Sequence, residues 1–225
     1  DGPFRNGSMY LTYTNEGMPI GAFWGYKTDG LIQTQEQLNA VKRADFQPNA
    51  ELGDVLFVDT NGDGKLDSSD RCMIGNPIPD IIYGINMGMA WKGFDLNLQF
   101  GGTIGNQIFN AMRYYTYFPN DITNKDRALM NYWTPNNTNT DIPRLTATDV
   151  NDNDRFSDMY VENGTYFRLR NAQLGYTLPA SLTQRIKLQK VRFYVSGQNL
   201  FTISSYSGMD PEVGQSSSLS RGIDY

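Results

Sequence analysis

The sequence predicts an all-β protein built from antiparallel strands. Its composition favours strands and turns, with 14 Tyr, 12 Phe, 3 Trp and 22 Gly among 225 residues. In addition, two pairs of segments alternate between apolar and polar side chains with the period of two that a strand requires. A helical protein would instead carry more Ala, Leu, Glu and Lys.

Composition also excludes several classes of function. The chain has 24 acidic and 19 basic residues and a net charge of −5, so it lacks the clustered cations that nucleic acid binding requires. It has no histidine, which removes the usual general base and the commonest transition-metal ligand. Cys72 is the single cysteine, so we expect no internal disulfide and no CxxC motif. We expect no organic cofactor.

Targeting signals are also missing from the sequence. No run of 18 apolar residues is present, which argues against a transmembrane helix. The first residues, "DGPFRNGSMY", have neither the basic start nor the apolar stretch of a signal peptide. The sequence is therefore expected to be cytosolic or a piece of a longer precursor.

The clearest strand pair is "YGINMGMAWKGFDLNLQFGG", which begins at Tyr83. Apolar residues occupy every second position on both sides of Lys92-Gly93, a dipeptide suited to a two-residue turn. Small or polar residues fill the other positions. Two interpretations remain open: a half-buried hairpin of a soluble sandwich, or two strands of an outer-membrane barrel with a lipid-facing stripe and a polar interior. Trp91 and Phe94 flank the turn, where an aromatic girdle would lie, which favours the barrel.

A second pair spans Thr165–Leu178 and Val191–Ile203. The apolar positions of its first strand change phase, and one bulge between Asn171 and Leu174 would reconcile them. The connection that follows Pro179 is expected to form one or two helical turns. The connections within both pairs are short, whereas long polar segments lie between and before the pairs, an asymmetry typical of outer-membrane barrels.

The stretch "DTNGDGKLDSSD" has the spacing of an EF-hand calcium loop. Gly64 occupies position 6, where the chain must turn sharply, and position 7 supplies a backbone carbonyl. We expect a structural Ca²⁺ site here, and the alternative is an Asx-rich turn closed by its own hydrogen bonds. The flanks differ from an EF-hand, because "GDVLFV" reads as a strand. The candidate ligands are Asp59, Asn61, Asp63, Lys65, Asp67 and Asp70.

Four stretches together resemble the C-terminal segment of SusC/RagA-type TonB-linked outer-membrane proteins, the nutrient importers of Bacteroidetes. The resemblance covers nearly the whole chain in the expected order. The stretches are "GMPIGAFWGYKTDGLIQTQEQL", "GDVLFVDTNGDGKLDSSDRCMIGNPIPDIIYGINMGMAWKGFDLNLQFGGTIGNQIFN", "NGTYFRLRNAQLGYTLP" and "VRFYVSGQNLFTISSYSGMDPEVG".

The resemblance implies a 22-stranded transmembrane β-barrel with long extracellular loops, of which this chain is a C-terminal part. It implies a SusD-like surface lipoprotein as partner, TonB acting through an absent N-terminal part, contact with outer-membrane lipid, and an oligosaccharide or peptide substrate. Residues 1–80 and 103–163 are then extracellular, 81–102 and 164–205 are hairpins of the barrel wall, and 206–225 leads to a missing last strand.

A group of aromatic residues in the long central segment provides candidate contacts to a ligand or to the lipoprotein lid. Aromatic rings stack on sugar rings, although packing of the loop against itself explains the same group equally well. The residues are Tyr114, Tyr115, Tyr117, Phe118, Tyr132 and Trp133.

Two other functions are considered. A soluble secreted calcium-binding or dockerin-like module would explain the acidic loop, but dockerins carry two such loops and the sequence has one. An enzyme is not expected, because the acidic pairs such as Asp152 and Asp154 lie in loops instead of on rigid elements across a cleft.

Overall fold

A computed structural model of the chain describes residues 4–6, 9–117, 124–213 and 222–224. The strands in these ranges are β1 (Phe4–Asn6), β2 (Met9–Tyr13), β3 (Ala22–Gly25), β4 (Thr28–Leu31), β5 (Val55–Phe57), β6 (Cys72–Gly75), β7 (Ile81–Trp91), β8 (Phe94–Ile104), β9 (Gln107–Asn110), β10 (Val161–Asn163), β11 (Tyr166–Thr177), β12 (Arg192–Ser204) and β13 (Ile223–Asp224). The α-helices are α1 (Gln35–Arg43), α2 (Ala111–Tyr117) and α3 (Ala180–Thr183). Over the described ranges, no helix is long and apolar enough to cross a membrane.

The chain divides into two compact units. The first, here called the mixed unit, comprises Asp1–Ile78, Gln107–Glu162 and Ser207–Tyr225. The second, here called the sheet unit, comprises Pro79–Asn106 and Asn163–Tyr206.

The sheet unit is one antiparallel sheet in the order β12-β11-β8-β7. Its first hairpin is the predicted one, because Trp91 pairs with Phe94 across a two-residue turn. Lys92 and Gly93 both have positive φ, 46° and 89°, as the type I′ hairpin turn requires. The connection after Pro179 contains α3, which confirms the predicted helical turn.

The predicted bulge exists, but its predicted position between Asn171 and Leu174 was wrong. The residues on either side of Arg170 pair with adjacent residues of β8, Phe100 and Gln99, so Arg170 is the extra residue. The bulge reverses the phase of the later half of β11. As a result, the apolar residues of both halves lie on the same face of the sheet.

The mixed unit contains three small sheets, ordered β1-β2-β3-β6, β10-β9-β13 and β4-β5. Helix α1 begins at a capping box, in which the Thr34 hydroxyl accepts from the backbone N–H of Gln37 and the Gln37 side chain accepts from that of Thr34. One core cluster packs around Phe23, Phe109 and Tyr160.

Several segments that were expected to be loops therefore form short strands and buried clusters. Sequence reasoning missed these elements because their apolar runs, such as "AFWG" of β3 and "CMIG" of β6, are only four residues long. Runs this short carry no readable period.

Candidate functional site

One face of the four-stranded sheet is apolar across all its strands. Directly paired residues share a face, and one row runs Ile85, Phe100, Leu169, Phe201 from β7 to β12. This apolar face consists of Tyr83, Ile85, Met87, Met89, Trp91, Phe94, Leu96, Leu98, Phe100, Phe167, Leu169, Ala172, Leu174, Tyr176, Phe193, Val195, Phe201 and Ile203.

Most of the large side chains on the apolar face are exposed within the chain. Val195 is 68% exposed and Trp91 is 69% exposed. A contiguous apolar surface of this extent marks a face that contacts something other than water, either another protein surface or lipid.

The opposite face of the sheet, here called the polar face, carries amide, glycine and charged residues. Asp95 of β8 and Arg192 of β12 form an ion pair there. Ile82, Tyr166 and Tyr194 are large exceptions on this face. Its polar and small members are Gly84, Asn86, Gly88, Asn97, Gln99, Gly101, Arg168, Asn171, Gln173, Gly175, Ser196, Gln198 and Thr202.

Both edges of this sheet are open within the part of the chain that the structure describes. β7 pairs only with β8, and β12 pairs only with β11. Each edge strand is long, and every second backbone N–H and C=O of a sheet edge points outward without a strand partner.

The acidic loop follows β5 and is closed by hydrogen bonds from its own backbone. The N–H groups of Gly62 and Gly64 donate to the two carboxylate oxygens of Asp59, at 2.6 and 2.8 Å. The N–H of Lys65 donates to Asp63 Oδ1 at 2.8 Å. These are the Asx-type turns of the alternative interpretation.

A single 3₁₀ turn, Ser68–Asp70, ends the acidic loop. The buried carboxylate of Asp70 accepts from the backbone N–H of Thr60 and of Asp67, both at 3.0 Å. Hydrogen bonds from the backbone lower the pKa of Asp59, and those from the backbone and hydroxyl of Ser69 lower the pKa of Asp67. The strand before the loop, β5, is as the sequence predicts.

The six candidate metal ligands therefore lie on one loop, and the hydrogen bonds among them and the backbone hold it closed. Over the described residues, no group of three or more Asp, Glu or Cys side chains is arranged to hold a metal ion. The side chain of Lys65 is exposed, and the residue is a candidate ligand through its backbone carbonyl. Calcium binding by this loop stays a prediction.

Three of the candidate aromatic residues lie on α2. Tyr114 points into the core, where its ring packs edge-on against Tyr160 at 5.1 Å between centroids. Burial raises the pKa of the Tyr114 hydroxyl far above its usual value. Tyr115 is 47% exposed, and Tyr117 lies half-buried beneath the guanidinium of Arg113 at 5.0 Å.

The other candidate aromatic residues are not gathered into the same place. Trp133 is 6% exposed and belongs to a core cluster, where its Nε1 donates to Gln33 Oε1 at 3.1 Å. Tyr132 is half-buried, and Phe118 lies outside the described residues. Tyr114 and Trp133 thus serve packing, whereas Tyr115 and Tyr117 reach the surface.

A groove of about 450 Å³ lies beside α2 and is here called the α2 groove. Helix α2 forms one wall, the segment Ser207–Met209 another, and Asp126 with Ala128 a third. Its lining residues are Asn110, Met112, Arg113, Thr116, Tyr117, Asp126, Ala128, Ser207, Gly208 and Met209.

A polar network lies at the base of the α2 groove. Glu162 accepts from Asn110 Nδ2 at 3.0 Å and from the backbone N–H and hydroxyl of Ser207 at 2.8 and 2.7 Å. Arg113 Nη1 lies 3.8 Å from the same carboxylate, and Arg113 Nη2 donates to Asp141. Sequence reasoning missed this network because its members come from segments far apart in the chain.

Comparison with known proteins gives consistent results. The chain is 38% identical over 220 residues to TonB-dependent receptor P3 of Formosa agariphila, covering 93% of the chain and 21% of that receptor. It is 30% identical over 169 residues to TonB-dependent receptor SusC of Bacteroides thetaiotaomicron, covering 75% of the chain and 16% of SusC. No family model matches the sequence.

A solved structure of the RagAB peptide importer in its open-open state superposes on 99% of the chain, with a TM-score of 0.70 and 25% identity, and the chain covers 22% of it. These matches give no support to a dockerin-like module. The chain spans about a fifth of the length of the curated relatives that it matches. The chain belongs to the SusC/RagA family of TonB-dependent receptors.

Proposed function

We propose that the protein is a TonB-dependent importer of the outer membrane, in which this chain supplies part of the barrel wall. The observation that carries the proposal is the four-stranded sheet with an exposed apolar face, a polar opposite face and two open edges. A sheet of this kind is stabilised when lipid covers its apolar face and further strands pair with its edges.

In this arrangement the short connections at Lys92-Gly93 and after Pro179 face the periplasm, and residues 103–163 face the outside. The polar face lines the interior of the barrel. We propose a SusD-like lipoprotein as partner, TonB as the source of energy, and an oligopeptide or oligosaccharide as cargo. The family resemblance supports the partner, and the likeness to the RagAB peptide importer favours a peptide.

Calcium at the acidic loop is also a proposal. The loop supplies carboxylate and amide oxygens, the ligands that a hard cation prefers, at the spacing of an EF-hand loop. The side chains would have to turn inward to surround an ion, so the affinity is expected in the weak range of extracellular modules, about 10⁻⁴–10⁻³ M.

Site-directed labelling of the intact protein in its native membrane tests the barrel-wall proposal. Single cysteines are introduced in a Cys72→Ser background, at Met87→Cys and Val195→Cys on the apolar face and at Asn97→Cys and Gln198→Cys on the polar face. The first pair is expected to react with a lipid-soluble maleimide, and the second pair with a water-soluble one. Equal reaction of all four with the water-soluble reagent would refute the proposal.

A further inference from the structure

Among its described lining residues, the α2 groove has one guanidinium, that of Arg113, and one carboxylate, that of Asp126. Arg113 already contacts two further carboxylates, those of Asp141 and Glu162, which offset its charge. The nearby ammonium of Lys125 donates to the Tyr115 carbonyl and does not line the groove. The groove therefore favours a cationic ligand.

The carboxylate of Asp126 can accept further hydrogen bonds from such a ligand. Its Oδ1 accepts from the backbone N–H of Ala128 at 2.7 Å, which caps the 3₁₀ turn Arg127–Asn131. Its Oδ2 has no hydrogen-bond donor within the portion of the chain that the structure describes. The side chain is exposed at the groove, so a ligand ammonium or guanidinium can reach it.

The rest of the surface of the groove is apolar and adaptable. Met112 and Met209 both line the groove, and their side chains are 48% and 95% exposed. Unbranched methionine side chains adjust to ligands of different shape, which is why they recur at surfaces that bind many peptides.

An oligosaccharide fits this groove less well than a peptide. Sugar rings stack on open aromatic faces, and Tyr117, the aromatic ring among the described lining residues, has one face covered by the Arg113 guanidinium.

We propose that the α2 groove binds a peptide segment that carries a cationic group beside an apolar side chain. Asp126 contacts the cation, which is a peptide N-terminus, Lys or Arg, and Met112 and Met209 contact the apolar side chain. The proposal rests on the importer function and adds to it a preference for peptide charge.

Binding of fluorescently labelled hexapeptides to the intact protein in detergent tests this proposal. Three peptides share one apolar residue and differ at a single Lys, Gln or Glu. Asp126→Asn keeps the cap on Ala128 and removes only the charge, and Met112→Ser removes the apolar contact. Asp29→Asn and Met130→Ser make the same changes at exposed positions outside the groove.

We expect wild type to bind the Lys peptide most tightly. Asp126→Asn should weaken binding of the Lys peptide about two- to fivefold and leave the Gln peptide unchanged, as loss of one exposed ion pair predicts. Met112→Ser should weaken all three peptides about fivefold. The two control variants should match wild type.

The outcomes separate this proposal from the importer function. If charge preference is missing in wild type, or if both groove variants match wild type, the peptide proposal is overturned. The cysteine labelling of the barrel wall does not depend on the groove, so its result tests the importer function separately.

Discussion

Asp95 and Arg192 form a two-pronged ion pair across the strand that lies between them. Arg192 Nε donates to Asp95 Oδ1 at 2.9 Å and Nη2 donates to Oδ2 at 2.5 Å. β11 separates their strands, and its residue at this level is Gly175, which pairs with Asp95. A Cβ on Gly175 would lie 2.5 Å from Arg192 Nη2 and 2.6 Å from Asp95 Oδ1. The glycine therefore makes room for the ion pair.

Gly175→Ala is expected to destabilise the sheet, because the added methyl forces the two charged side chains apart. Gly84→Ala is the matched control, since a Cβ there comes no closer than 3.8 Å to a neighbouring atom. The midpoint of urea unfolding in lipid vesicles should fall for Gly175→Ala only. In an Arg192→Gln background, Gly175→Ala should lower the midpoint of urea unfolding by less, because the guanidinium that the added methyl would displace is already absent. An equal loss in both backgrounds would refute this account of Gly175.

Trp133 and Tyr115 were both candidate contacts to a ligand or to the lipoprotein lid, and we expect substitutions at the two positions to have different effects on stability. Trp133→Ala should destabilise the protein by about 3–5 kcal/mol, because it leaves a cavity in a buried cluster. Tyr115→Ala should change stability by about 0.5 kcal/mol or less, as exposed substitutions do. Chemical denaturation monitored by hydrogen exchange of the surrounding segment measures both. Comparable losses would show that Tyr115 also packs in a core.

Calcium titration of the intact protein by calorimetry tests the acidic loop. We expect saturable heat for wild type and none for the double variant Asp59→Ala/Asp63→Ala. Asp29→Asn serves as a control for charge, because it removes an exposed carboxylate away from the loop. If wild type releases no heat, the loop is an Asx-rich turn without a metal.

Stability is expected to depend on pH through Asp149 and Asp154. Burial raises the pKa of both carboxyls, and for Asp154 the neighbouring charge of Asp152 adds to this effect. The folded state then binds more protons than the unfolded state between the ordinary and the raised pKa, so these groups reduce stability as pH rises through that window.

Asp149→Asn is expected to remove its share of this pH dependence. The unfolding free energy of the variant should rise relative to that of wild type as pH increases above about 4, the ordinary pKa of an aspartate. Asp29→Asn is the control. Parallel stability curves for wild type and Asp149→Asn would contradict the raised pKa.

The sheet was predictable because its signal is local. Alternation within β7 and β8 and the pair Lys92-Gly93 specify a hairpin without reference to the rest of the chain. The bulge on β11 was misplaced because Ala172, the first apolar residue after the change of phase, is too small to reveal that change.

The mixed unit and the α2 groove were not predictable in the same way. The cluster of Phe23, Phe109 and Tyr160 joins residues from three distant segments. Likewise, Glu162 and Ser207 are 45 residues apart in sequence yet share two hydrogen bonds. Such partners are selected by tertiary packing, which no periodicity in one segment encodes.

The long excursion between β8 and β11 returns to its starting point. It begins with β9 and ends with β10, which are neighbours in one sheet, and the N–H of Gly164 donates to the carbonyl of Asn106 at 2.9 Å. Folding of the excursion thus brings its own ends together, so pairing of β8 with β11 carries little of the entropy cost of closing a long loop. During evolution, the excursion can then change in length and sequence while the register of the strands that it joins is preserved.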